Sequence, residues 1–309
     1  MKDSKILIIG GSGFIGRNLS AALTDKGALV YSFDKVMPEE KDDRVQYIIG
    51  DFFDDDNLDD VLEDKDVVIH AVSTINPGNS NKRYMQGYSR DFVQSVKLCA
   101  RIIRNQQRML FLSSGGTVYG NQEIQPITEE CSPLPINHYG NVKLCIENAI
   151  RTFNTQLHTK MRIARISNPY GPGQDYTQGV GFVDAALKRA MNHEPVEIWG
   201  DGENIRDYVY IEDVCAMLCC LLEYEGEEEV FNISSGEGVS QKMVLEALKS
   251  VGLNAEVKYL DRRSVDLPKT ILDNRKIKSI YDGKIRSFQE GFRAYYHYLD
   301  SKTGGRNDY

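Results

Sequence analysis

Lys5-Ile6-Leu7-Ile8-Ile9 runs straight into Gly10-Gly11-Ser12-Gly13-Phe14-Ile15-Gly16, and this junction limits the fold more than any other stretch of the chain. The apolar run after Lys5 reads as a buried parallel strand. Leu19, Leu23 and Lys26 then mark an amphipathic helix, which Gly27 stops. Strand, glycine turn and helix in that order predict a βαβ unit in which bare backbone lets a pyrophosphate approach a helix N-terminus. Gly10, Gly13, Phe14, Ile15 and Gly16 are therefore the candidate cradle. A second strand at 29–33 ends in Asp34, about 20 residues past the glycines, where an acid hydrogen-bonds an adenosine ribose and disfavours a 2′-phosphate. That favours NAD, while Lys35 leaves NADP open.

The alternation continues. A strand at 45–49 ends in Gly50-Asp51, which sets Asp51 to accept from an adenine amine. Asp54, Asp55 and Asp56 precede a helix whose N-terminus favours negative charge. Residues 66–71 form a fourth strand with His70 as a packed residue at its end, and residues 74–81 form a loop placed to cover the cofactor. A helix at 88–104 and a fifth strand at 109–113 complete the pattern of a doubly wound parallel sheet.

At 309 residues the chain suggests one large domain or two unequal lobes. Its net charge of −8, without a basic run, argues against a nucleic-acid surface. The N-terminal apolar stretch is too short for a signal peptide or a membrane span. Six cysteines show neither Cys-x-x-Cys nor zinc spacing, and read as reduced thiols of a cytoplasmic protein with no metal.

Tyr139 and Lys143 stand four apart, one turn above each other on a helix. A phenol titrates near ~10, and an ammonium one turn away favours the phenolate, so the pair is expected to act as a proton acceptor toward a sugar hydroxyl. Taken alone, this spacing usually marks an ordinary helix surface.

Context changes that. Ser113-Ser114-Gly115-Gly116-Thr117-Val118-Tyr119-Gly120 precedes Tyr139-x-x-x-Lys143 by some twenty residues, behind the glycines at 10, 13 and 16. Over nearly the whole chain the sequence resembles the extended short-chain dehydrogenase/reductase family, and within it the 4-epimerases of UDP-glucose and UDP-N-acetylglucosamine. The resemblance implies a Rossmann-type α/β fold with a smaller C-terminal substrate lobe, bound NAD and a UDP-sugar substrate. It implies Tyr139 as general base and acid, and Lys143 as the group that holds the nicotinamide ribose and tunes Tyr139. It puts Asn168, Arg206 and Arg263 on the diphosphate, Asp266 on the uridine ribose, and Thr270 beside the sugar 2-substituent, where a small residue admits an N-acetyl group. Two guanidiniums and an amide suit a diphosphate. The family usually has Ser or Thr where this chain has Gly115, so the hydroxyl on the sugar 4′-oxygen must come from Thr117, Ser114 or Ser113, with Thr117 and Ser114 favoured. No carboxylate precedes Val118-Tyr119, unlike in dehydratase and decarboxylase relatives.

The implied reaction is NAD-dependent inversion at C4 of a UDP-hexose or UDP-N-acetylhexosamine through a 4-keto sugar. The alternatives are a nucleotide-sugar 4-ketoreductase using NAD(P)H and a non-catalytic NAD-binding regulator. A homodimer built on helices 88–104 and 139–157 is implied too. Domain limits follow: 1–168 binds NAD, with a return at 207–235; 169–206 and 236–300 form the substrate lobe; 301–309 is a frayed tail. Ser240 is expected to cap a helix, and Ser287 with Glu290 to form a capping box.

Overall fold

The computed structural model describes residues 1–261 and 267–304. The chain opens with β1 (Lys5–Ile9), α1 (Phe14–Asp25), β2 (Leu29–Asp34), β3 (Val45–Ile49), α2 (Asp55–Leu62) and β4 (Val67–His70). It continues through α3 (Tyr84–Gln86), α4 (Val93–Arg104), β5 (Arg108–Ser114), α5 (Gly115–Val118), α6 (His138–Leu157) and β6 (Arg162–Ile166). These strands pair in parallel in the order β3-β2-β1-β4-β5-β6, and β10 (Val230–Ile233) adds a seventh beside β6. This is the doubly wound order, with ligands expected outside the carboxyl ends of the strands.

Two buried layers sandwich the sheet. Leu19 and Leu23 of α1 pack with Val214, Leu218 and Leu222 of α8 (Ile211–Glu223) on one face. Leu98 and Ile102 of α4 pack with Val142, Ile146 and Ile150 of α6 on the other. The alternation breaks once: no helix lies between β2 and β3, and residues 35–44 cross over as a loop.

The second lobe comprises β7 (Asn168–Tyr170), α7 (Phe182–Met191), β8 (Val196–Trp199), β9 (Ile205–Tyr210), β11 (Gly238–Ser240), α9 (Gln241–Ser250), β12 (Val257–Leu260) and β13 (Lys269–Thr270). β9 is its hub, antiparallel to β11 and parallel to β7 and β13. Ser240 Oγ caps α9 by accepting from Met243 N at 3.2 Å. Ser287 and Glu290 exchange hydrogen bonds at the start of α11 (Phe288–Gly304), as a capping box does.

Several boundaries move. The expected return at 207 begins as β9 inside the lobe's own sheet, because its edges are taken by β7, β11 and β13; the first lobe is rejoined at α8. Residues 275–285, assigned to the substrate lobe, turn back through α10 (Arg275–Lys278) and bury Ile277 in the first lobe's core beside Ile280 and Ile285. The helix expected from 88 starts as one wide turn, Gly87–Phe92, before α4. The tail expected to fray from 301 continues α11 to Gly304.

Candidate active site

Gly10, Gly11 and Gly16 leave no room for side chains. Gly10 has φ +88, and a Cβ there would lie 2.9 Å from Val72 N. A Cβ on Gly16 would meet Gly10 O at 2.4 Å and Gly11 Cα at 2.7 Å, so the turn closes only on bare backbone. Gly13 caps α1 without a side-chain hydrogen bond, and only Gly10 O, at 3.3 Å, approaches its Cβ position. The first amides of α1, at Phe14, Ile15 and Gly16, lie at the positive end of a helix behind this bare turn, which suits a pyrophosphate.

Asp34 closes β2 beside this cradle, accepting from Ser12 N at 3.1 Å and from Lys35 N at 2.7 Å. Asp51 accepts from Phe53 N at 2.9 Å and pairs with Lys35 at 3.0 Å. Burial works against its charge, but the Phe53 amide and Lys35 keep its carboxyl below the usual range. The lysine that left a 2′-phosphate open is thereby engaged. Glycine cradle and strand-end acid together fit NAD.

α6 carries Tyr139 and Lys143, the pair expected to handle the proton. Asn137 caps it, accepting from Gly140 N at 2.8 Å. A Cβ on Gly140 would meet Thr117 O at 2.6 Å, so glycine lets α6 press against α5 and brings Tyr139 close to the Ser114–Thr117 turn. Lys143 is buried; its Nζ donates to Leu112 O at 2.9 Å and lies 5.7 Å from the centre of the Tyr139 ring. Burial lowers the Lys143 ammonium to about 8, against the pull of Asp91 and Glu147.

The phenol corrects an expectation. Burial, then the Asp91 carboxylate, pushes Tyr139 up to about 12, where the ammonium was expected to bring it down. Desolvation outweighs a cation whose Nζ is turned toward Leu112 O. Asp91 sits in the wide turn before α4 and accepts from Thr74 N at 2.8 Å, Thr74 Oγ1 at 2.6 Å and Ser73 Oγ at 2.8 Å, pinning the loop after β4 to the site.

Of the three candidate hydroxyls, Ser113 donates to the buried Glu147, which also receives Arg165 Nη2 at 2.6 Å. Its hydroxyl is committed to the core. Ser114 is half-buried, and Thr117 Oγ1 makes only a long 3.5 Å contact to Ser114 O. At Gly115 a Cβ would meet Leu272 Cδ1 at 2.4 Å and Arg165 O at 3.0 Å, so packing, too, favours glycine there.

Across the cleft, Asn168 Nδ2 donates to Asp207 O at 3.1 Å, and its Oδ1 lies 3.5 Å from the Cβ position of Gly116. Arg206 on β9 pairs in register with Thr270 on β13. Thr270 is buried, and its Oγ1 finds no hydrogen-bond partner among the described residues. Asn168, Arg206 and Thr270 therefore share one strand cluster, while Arg263 and Asp266 lie outside the described residues. His70 packs between Phe52 and Phe111, with Nε2 2.7 Å from Ser95 Oγ, and burial drops it to about 3. Sequence reasoning missed Asp91, Glu147, Arg165 and Asp207. Asp207 is flanked by Arg206 and Tyr208, but a buried acid beside an expected ligand gives no periodic signal. Among the described residues no group of three or more His, Cys, Asp or Glu side chains is placed to hold a metal, and no helix is long and apolar enough to cross a membrane.

A family model described as "NAD dependent epimerase/dehydratase family" matches residues 6–234. The chain is 30% identical to the dTDP-4-dehydro-6-deoxyglucose reductase of Escherichia coli over 259 residues, 80% of this chain and 82% of that one. Its fold superposes on the UDP-glucose 4-epimerase of Thermotoga maritima with UDP-glucose at a TM-score of 0.90 and 29% identity, covering 96% and 99% of the two chains. A UDP-N-acetylglucosamine 4-epimerase of Methanobrevibacter ruminantium, in complex with UDP-N-acetylmuramic acid, gives 0.89 at 25% identity over 98% and 100%. With the glycine cradle, Asp34 and the α6 pair already in place, these matches establish that the chain belongs to the NAD-dependent epimerase/dehydratase family.

Proposed function

We propose that this protein is an NAD-dependent 4-epimerase of a UDP-hexose or UDP-N-acetylhexosamine, working through a transient 4-keto sugar. The observation that carries the reading is the convergence at the carboxyl edge of the sheet. α6, which carries Tyr139 and Lys143, packs through Gly140 against Thr117 O after β5, and the α1 turn follows β1 at the same edge. When bound, oxidised NAD supplies a positively charged hydride acceptor. Gly10, Gly13, Phe14, Ile15 and Gly16 hold its pyrophosphate, Asp34 its ribose and Asp51 its adenine, while Lys143 serves the second ribose.

The chain's own residues handle the proton. Tyr139 takes it from the 4′-hydroxyl and later returns it, and Ser114 or Thr117 holds the 4′-oxygen. A phenol held near 12 is a weak acceptor by itself, so Lys143 must stay charged as the proton moves. Asn168, Arg206 and Arg263 clamp the diphosphate, Asp266 takes the uridine ribose, and Thr270 leaves space beside the sugar 2-substituent. Tyr139→Phe tests the reading: turnover should fall at least ~10³-fold with NAD content retained, and a fully active variant contradicts it.

A second reading, 4-keto reduction with net consumption of NAD(P)H, is favoured by the likeness to the E. coli reductase. It would use the same tyrosine and lysine. We infer a homodimer, since α4 and α6 pack side by side and present Val93, Ala100 and Leu144 outward. A cytoplasmic site is inferred from six free cysteines.

A further inference from the structure

Asp207 is fully buried, and both of its carboxylate oxygens are occupied. Oδ1 accepts from Ser167 Oγ at 3.2 Å, Ser235 N at 3.0 Å and Ser235 Oγ at 2.8 Å. Oδ2 accepts from Gly236 N at 3.1 Å and Leu272 N at 3.2 Å. Its main-chain oxygen accepts from Asn168 Nδ2. The donors come from three segments distant in sequence: the β6–β7 junction, the β10–β11 link and the stretch after β13.

Two of these segments border a residue expected on the substrate, and the β10–β11 link leads into Val239, which pairs with Arg206. Ser167 precedes Asn168, Leu272 follows Thr270 by two, and Arg206, in register with Thr270, is the neighbour of Asp207 itself. The carboxylate sits by the ends of β6 and β10, the edge where open α/β sheets take ligands. None of these six hydrogen bonds involves the glycine cradle, Asp34 or α6. Burial pushes the carboxyl up to about 6 despite the donors, so the ion works against stability at neutral pH. A group kept charged at a cost to the fold points to a role in the site.

We propose that Asp207 is a positioning residue: its carboxylate gathers three segments into one edge that binds the nucleoside diphosphate part of the substrate, leaving NAD binding alone. The inference rests on the reading of this cleft as a nucleotide-sugar site. Asp207→Asn keeps the shape but sets an amide N–H₂ against backbone N–H donors.

The test is a calorimetric titration of UDP, and separately dTDP, into NAD-loaded wild type, Asp207→Asn and Ser235→Ala. Binding should weaken about tenfold or more in Asp207→Asn and about twofold to fivefold in Ser235→Ala. NAD content should be unchanged, and KM for the nucleotide sugar should rise far more than kcat falls. Wild-type affinity in Asp207→Asn overturns the inference, as does parallel loss of NAD and UDP, which would mark a purely structural role. Where Asp207→Asn does not fold, Ser235→Ala decides by the same criteria. Wild type that binds neither nucleotide counts against the proposed function and takes this inference with it.

Discussion

Lys143 keeps an ammonium with 4% of its surface exposed, bonded to a single backbone carbonyl. Its pKa falls from 10.5 to about 8 because burial penalises the charge more than Asp91 and Glu147 restore it. The unfolded chain therefore binds more protons between these values, and stability should rise as pH climbs from about 8 to 10.5 and be flat below 8. At roughly 1.4 kcal/mol per unit, less about 1 kcal/mol for the Leu112 bond, Lys143→Met should stabilise the fold by about 2–3 kcal/mol at pH 7 while removing activity. Urea unfolding of the two proteins checks the first part; a destabilised, inactive variant would show that burial is not what lowers the lysine. In the wild type, turnover should decline above pH 8 as Lys143 loses its proton, and a pH–kcat profile flat to pH 10 would contradict that.

At the scale of elements, α1 and α6 carry the proposed site, and each is held by contacts a single substitution can test. Gly16→Ala would drive a methyl into the Gly10 and Gly11 backbone, which cannot yield, so the purified protein should lose its NAD; full NAD content would refute the cradle. Glu147, two turns after Tyr139 on α6, joins Ser113 and Arg165 in the dry interior, and Arg165 lies over the Tyr119 ring at 4.7 Å. Glu147→Met strands that guanidinium and should cost about 3–5 kcal/mol, read from the urea midpoint. Much of this was legible beforehand, because apolar runs, the glycine turn and Asp34 are local signals. The wide turn at Gly87–Phe92 was not, since only the packing of Gly87 against Ile75 and Val142 reveals it. The lobe's sheet was not either: β7 and β13 are very short and pair with β9 across long sequence distances. Asp207 was hidden for the same reason, as its donors converge only in three dimensions.

The whole molecule sets a seven-stranded parallel sheet against a smaller strand cluster, with α8 and residues 275–285 tying the second to the core of the first. The outward faces of α4 and α6 give the assembly prediction: Ala100→Glu should convert the proposed dimer to a monomer in sedimentation, and an unchanged sedimentation coefficient would contradict an interface on these helices. The phenol marks the limit of the sequence reading: the Tyr-x-x-x-Lys spacing gave the pair its place, but only burial shows that Tyr139 rests far above neutrality. The most direct measurement incubates the purified protein with UDP-glucose, UDP-galactose and their N-acetylated counterparts without added reductant, separating products while following nicotinamide absorbance. C4 epimers should interconvert with no net NADH signal. No interconversion, or turnover only with stoichiometric loss of added NAD(P)H on a 4-keto sugar, would contradict it.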